Sequence, residues 1–480
     1  MSQDRTEQVP GSVGKLARSI DWKQGLAIAM GVPLLILPSI GYFAGHLWAA
    51  AIIVWGLSVL QGFMQNFAYG ELATAFPDAS GIPGYAQSVF KTNDSNCKYD
   101  HRKLIGGFSA WGYWFAWNPI LAIFSLLVGN YLHGLVPAFA SVFTTDQLSL
   151  LAGVVIFGGL IVVNYRGLHS GAVLGYILAA LSLAPLLVIS AAPFFTGDFV
   201  LSNITNNWLP TDWTWDAEHV LIVLGVLATA EWSACGWEAA VIYGPEYKKP
   251  HSDIPRALFS CGVLCLITYV LVQTVVTGVL GIEGILANTV SPLLPVAQRS
   301  FGPLGVGVSI IMLIAAMILA IQTAYLGSAR AMHSMAKEGN LPGIFGKLNT
   351  HGTPVVAMIV IGLFNLAFIS LKTPTAILGA SAIGYICANG ICLFAYVKAK
   401  RNPRLAALER SFQAPRGWKN VAMAFGLLNL PLFLIGVVFL NSLEVGWRST
   451  WIGIGVMMLY IPLWIYSQHE RDKLNASGSS

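Results

Sequence analysis

The sequence predicts an all-α polytopic membrane protein. It would have twelve transmembrane helices, ten in a 5+5 inverted-repeat core and two appended. Three observations predict this. Charged residues are only 10% of the 480, while 55% are hydrophobic and the mean hydropathy is +0.66; soluble domains carry about a quarter charged residues. A helix needs about 20 mostly apolar residues to cross a bilayer. Twelve runs meet that need: 22–43, 47–76, 104–132, 147–165, 170–196, 218–246, 257–281, 303–336, 354–371, 375–399, 420–441 and 448–467. Finally, runs one and six are interrupted in comparable ways.

Run one reads GLAIAMGVPLLILPSIGYF, with Gly31, Pro33 and Pro38 inside a helix-length segment. Run six contains TAEWSACGWEAAVIYGP, with Ser233-Ala-Cys-Gly236 at its middle. Proline removes a helical hydrogen bond and glycine weakens the local helix. Freed backbone groups survive at membrane depth only beside protein or a water-filled cavity. Paired breaks at corresponding positions point to two five-helix repeats and to a transporter's binding site. The expected organisation is a tail over 1–20, repeats over 21–199 and 218–401, and an outside loop over 200–217 between them. A basic loop over 402–419, two helices over 420–468 and a tail over 469–480 complete it.

Orientation follows from the basic residues. With both termini cytoplasmic, outside loops hold only Arg299, Lys372 and Arg448, leaving 24 of the 27 lysines and arginines inside. That bias is the positive-inside signal. It accounts for the net charge of +5 without a nucleic-acid partner. The seven basic residues from Lys398 to Lys419 read as topology determinants. The polar N-terminal segment is too long before its first apolar run to be a cleaved signal peptide. Five cysteines lie inside apolar runs and Cys97 in an inside loop, with no metal spacing and no disulfide framework. Asn203-Ile-Thr is a glycosylation sequon in an outside loop. Neither His-Glu-x-x-His nor Gly-x-Ser-x-Gly occurs, so no enzyme is expected, and no cofactor or metal.

Four segments carry a family resemblance: EWSACGWEAAVIYGPEYKKPHSDIPRAL at 231–258, FAYGELATAFPDASGIPGYAQSVF at 67–90, VNYRGLHSGA at 163–172, and SARAMHSMAKEGNLPGIFGKLNTHGTPVVA at 328–357. In this order and at these places, the chain resembles the amino acid–polyamine–organocation transporters. The resemblance implies a secondary transporter for an amino acid or organic amine, with a coupling ion (H+ or Na+) or a counter-substrate as its other partner. An inorganic cation transporter or channel on the same scaffold is the alternative.

The resemblance also assigns a site. Backbone carbonyls freed at the two breaks would hold the substrate amine: Gly31, Val32, Pro33 and Leu34 in run one, and Trp232, Ser233, Ala234, Cys235 and Gly236 in run six. Unwound carbonyls and helix C-terminal ends suit a cation. Trp232 and Trp237 flank the second break, and an indole face attracts an ammonium. Glu238 falls on the family's Gly-x-Glu position, a proton-responsive acid in some members. Glu231 has no acid counterpart in that segment; it would meet a second substrate charge or face a water-accessible side. In run three, Tyr113, Trp114, Trp117 and Asn118 form an aromatic turn facing the cavity. Asn118 needs a partner for its amide. Tyr113 and Tyr385 are candidate gates, and Glu71 serves a gate or a structural hydrogen bond.

Two departures narrow the expectation. Family members that bind α-amino acids show a small-residue triplet whose amides hold the carboxylate. Here it reads Gly31-Val32-Pro33, and Pro33 has no N–H to donate. An amine or polyamine therefore fits better than a plain neutral amino acid. Many members also carry a lysine three residues before a proline in helix five, where this chain has Ser182 before Pro185. Thr323 and Ser328 would join Ser182 as a possible cation site, unless coupling runs through Glu238 or by exchange.

Overall fold

A computed structural model describes residues 16–91, 100–289, 291–444 and 446–477. Cys97 and most of the N-terminal tail lie outside the described residues. Among those described, the fold is all-helical, its one extended contact being the bridge between Ile20 and Tyr247. Ten helical stretches among the described residues are long and apolar enough to cross a membrane. The protein is a multi-pass membrane protein.

Three of the twelve apolar runs do not stand as separate long helices. Runs one and two form a continuous helical stretch, Trp22–Ala75. It turns at Trp48, whose φ of 48° is left-handed. Run nine gives Val355–Ile369, only 15 residues, about 22 Å at 1.5 Å per residue. Run three, read from sequence as continuous, is broken: His101–Trp117 stops at Asn118 and Ile120–Leu135 starts after Pro119. Proline at that point cannot complete the preceding hydrogen-bond ladder.

Runs three and ten form the centre, with 89% and 83% of their most apolar stretch buried, against 33% for runs four and twelve. Run six packs against Leu434–Glu444 of run eleven. There a Cβ on Gly225 would fall 2.6 Å from the Gly436 carbonyl oxygen. Small residues allow this close approach of helix backbones. Between Trp418–Leu427 and Leu434–Glu444, residues Leu428–Phe433 wind as one π-helical turn containing Pro431. A proline in the ladder is a recognised cause of such local rewinding.

At one end of the bundle, polar contacts tie the basic loops together. Glu71 accepts from Lys400 Nζ at 2.7 Å, Tyr396 hydroxyl at 2.8 Å and Ala414 N at 3.1 Å. Arg410 Nε lies 3.3 Å from the same carboxylate. Glu246 receives the Arg330 guanidinium on both carboxylate oxygens, while the Tyr243 ring lies 5.2 Å from the Arg330 charge. Near the other end, Asn203 sits in a short helical turn, and its amide donates to Gly278 O at 2.8 Å.

Candidate functional site

The breaks in runs one and six meet at the middle of the bundle. Run one is helical over Trp22–Ala29, winds tightly over Val32–Ile36, and resumes at Ile40–Leu47. Run six is α-helical over Ala217–Ala234 and passes through Cys235 into a tight 3-10 segment, Gly236–Glu246. Trp232, Ser233 and Ala234 thus still belong to the helix, and the break begins at Cys235. The sequence misplaced it because small residues such as Ala234 stay helical when packed.

The two breaks share one polar partner, Tyr269 of run seven. Its hydroxyl lies 2.6 Å from Val32 O and 2.8 Å from Ser233 O. One proton serves two carbonyls, so at least one keeps free accepting capacity. The Trp117 ring closes over the second break; a Cβ on Gly236 would stand 3.2 Å from it and 3.5 Å from Val32 Cγ1. A side chain at Gly236 would press against the ring from run three. Trp232, 2% exposed, donates its indole N–H to Ala116 O at 2.9 Å, beside the run-three break.

Glu238 faces the same layer. Its Oε2 accepts from the Tyr385 hydroxyl at 3.0 Å, and its Oε1 is buried without a hydrogen-bond partner. Tyr113 and Trp117 stand against this carboxyl. The predicted gates Tyr113 and Tyr385 therefore converge on Glu238. Asn118 finds its partner in Asn365 of run nine, which donates at 2.7 Å.

The side chains of the other predicted residues point elsewhere. Trp237 turns away to pack on Phe63 and Phe259. Glu231 points between runs two, ten and eleven, where Gln65, Asn389 and Asn429 donate to its Oε1. Cys235 donates to Ser58 O and Ser233 Oγ to Ala230 O. Of the possible cation ligands, Ser182 donates back to Leu178 O in its own helix. Thr323 donates to Ile28 O at the end of the first half-helix, with Leu319 O also in reach, and Ser328 Oγ is buried without a partner. A Cβ on Gly31 would collide with Thr323 Oγ1.

A cavity of about 320 Å³ lies beyond the break of run one, between runs one, three and ten, lined by Ser39, Tyr42, Ile123, Asn130, Thr375 and Leu378. At the opposite end, a second of about 280 Å³ is lined by Asp78, Ser88, Ser334, Lys337 and Glu338. Sequence reasoning missed Tyr269 and the amides Gln65, Asn389 and Asn429. The rule applied to Asn118, that an amide in hydrocarbon needs a partner, finds all three amides when applied throughout.

Known proteins resemble this chain over most of its length. An uncharacterized amino acid permease of Bacillus subtilis is 27% identical over 412 residues, covering 79% of this chain and 85% of the relative. An arginine/ornithine antiporter of Lactococcus lactis is 24% identical, covering 87% and 82%. A probable polyamine transporter of Arabidopsis thaliana is 25% identical, covering 74% and 68%. The amino acid permease family model matches residues 20–460. Relatives of this kind are permeases and transporters rather than enzymes, and this chain belongs to the amino acid permease family.

Proposed function

We propose that this protein is a secondary active transporter that moves an amino acid or organic amine across the plasma membrane by alternating access. The observation that carries the reading is the meeting of two broken helices whose carbonyls, Val32 O and Ser233 O, converge on one hydroxyl. A substrate ammonium has three N–H donors and suits such a carbonyl pair better than any anion does. The indole of Trp117 and the carboxyl of Glu238 then supply a cation-attracting wall.

An amine or polyamine is favoured over a plain α-amino acid, because Pro33 removes an N–H where a carboxylate would seek one. The relatives named an arginine/ornithine antiporter and a polyamine transporter also handle solutes with a cationic side group or several amines. The proposed frame is twelve spans, with inverted repeats over 21–199 and 218–401, two further helices over 420–468, and both termini cytoplasmic. Coupling runs through protonation of Glu238 or by exchange.

A thermal-shift screen of purified protein against amino acids, their decarboxylated amines and polyamines tests the substrate class. A ligand that binds the native state raises the melting temperature by mass action. Stabilisation by amines but not by the parent amino acids is expected. Stabilisation by neutral amino acids alone would overturn the Pro33 argument.

A further inference from the structure

Glu231 lies half-way along run six, apart from the two breaks, and is 0% exposed. A single oxygen, Oε1, collects three amides: Gln65 Nε2 at 2.9 Å, Asn429 Nδ2 at 2.5 Å and Asn389 Nδ2 at 3.2 Å. N–H donors converging from three helices are the surroundings of an ionised carboxylate. Such a charge, wholly inside an apolar bundle, needs a counter-charge. Among the described residues, the ionisable groups that face it are Tyr69 from run two, Cys235 and Glu238 from run six, and Tyr385 from run ten. None is cationic, and run eleven offers only an amide.

The surrounding oxygens supply a second observation. Glu231 Oε2, Gln65 Oε1 and Asn429 Oδ1 are all buried with no hydrogen-bond partner, and so is Gln61 Nε2. Gln61 belongs to the same cluster around Glu231. A carboxamide rotated half a turn exchanges its oxygen and nitrogen at little steric cost. Asn389 is held against rotation, because its Oδ1 accepts the Tyr69 hydroxyl at 2.7 Å. Gln61, Gln65 and Asn429 are not held in this way. They can give N–H donors to a bare carboxylate or oxygens to an ion beside it. Asn429 further lies in the π-helical turn Leu428–Phe433, and π turns occur frequently at functional sites.

We propose that Glu231, Gln61, Gln65 and Asn429 form a binding site for a monovalent inorganic cation of the sodium class. The donor set is all oxygen, which selects a hard cation over a transition metal. It carries one negative charge, so a monovalent ion leaves the buried site neutral and a divalent ion would not. This site does not involve Ser182, Thr323 or Ser328. It is independent of which organic solute the protein carries, and its failure would leave the solute reading intact.

The test uses the full-length protein in detergent, with no organic solute present. Its melting temperature is followed as sodium chloride replaces choline chloride at constant ionic strength and pH. A saturable rise is expected with sodium and none with choline. Glu231→Gln removes the rise, and Asn429→Ala raises the half-saturating sodium concentration by about 10–100-fold. A wild-type melting temperature indifferent to sodium would overturn the proposal and make Glu231 a protonated acid. A sodium-dependent rise that survives unchanged in Glu231→Gln and Asn429→Ala would equally overturn it. Should Glu231→Gln fail to fold, Asn429→Ala and the sodium NMR linewidth of the wild-type protein decide instead. The absence of excess broadening would then sink the site.

Discussion

Among the described residues, four glutamates are almost fully buried, and they divide by place. Glu71 and Glu246, at the end where the basic loops meet, have arginine or lysine partners. Glu231 and Glu238, in the middle, have only amide and hydroxyl partners. The contrast separates two uses of one side chain. An acid with a fixed cation is a clasp, since removing either member strands the other charge. An acid satisfied by neutral donors keeps its charge available to something that comes and goes, whether a proton, an ion or an amine.

The largest expected effect is at a clasp. Arg330→Ala leaves Glu246 charged and 3% exposed, and should cost about 3–5 kcal/mol of stability, read as a fall in melting temperature. The double change Arg330→Met with Glu246→Gln should recover most of that loss. A single variant as stable as wild type would break the comparison at its strongest point. Next is Glu71→Ala, which orphans a half-buried backbone N–H at Ala414 and two partly buried cations; roughly 1–3 kcal/mol is expected. The cost is smaller because Lys400 remains 30% exposed to solvent.

Tyr269→Phe sharpens the comparison from the other side. It takes one hydroxyl from two carbonyls and should cost about 0.5–1.5 kcal/mol, with a measurable change in solute affinity. The smallest effect on stability belongs to Glu238→Gln. It preserves shape and the Tyr385 contact and strands no cation, so a change within about 1 kcal/mol is expected. Uptake by this variant in proteoliposomes should nevertheless lose the pH dependence of the wild type. An unaltered pH profile would return Glu238 to a structural role.

The sequence shows its breaks and its acids more readily than their neighbours. Gly31, Pro33 and Gly236 are legible because proline removes a helical hydrogen bond and glycine weakens the local helix. Glu231 and Glu238 are legible because charge is scarce in hydrocarbon. Their environments were hidden. On an unbroken helix a seven-residue spacing puts both acids on one side. The change at Cys235 from α to tighter winding instead turns them to different neighbours. Tyr269 was missed because a tyrosine in an apolar run has no local signature. Only the fold reveals that two carbonyls from distant segments reach it. Run three's break at Asn118-Pro119 was the reverse case, a local signal passed over beside more obvious aromatics.

The wide turn at Leu428–Phe433 has a consequence for how this chain tolerates change in length. At its start, Asn429 is committed to Glu231; beyond its end, Gly436 is committed to its backbone contact with Gly225. A π turn is one residue of slack in an α-helix. Deleting a residue there would rewind the segment and swing one side by about 100° relative to the other. The helix would then keep its grip on the carboxylate or on the glycine, but not on both. The number of residues between those two anchors is therefore itself a constraint, even though several of the residues filling it are interchangeable apolar side chains.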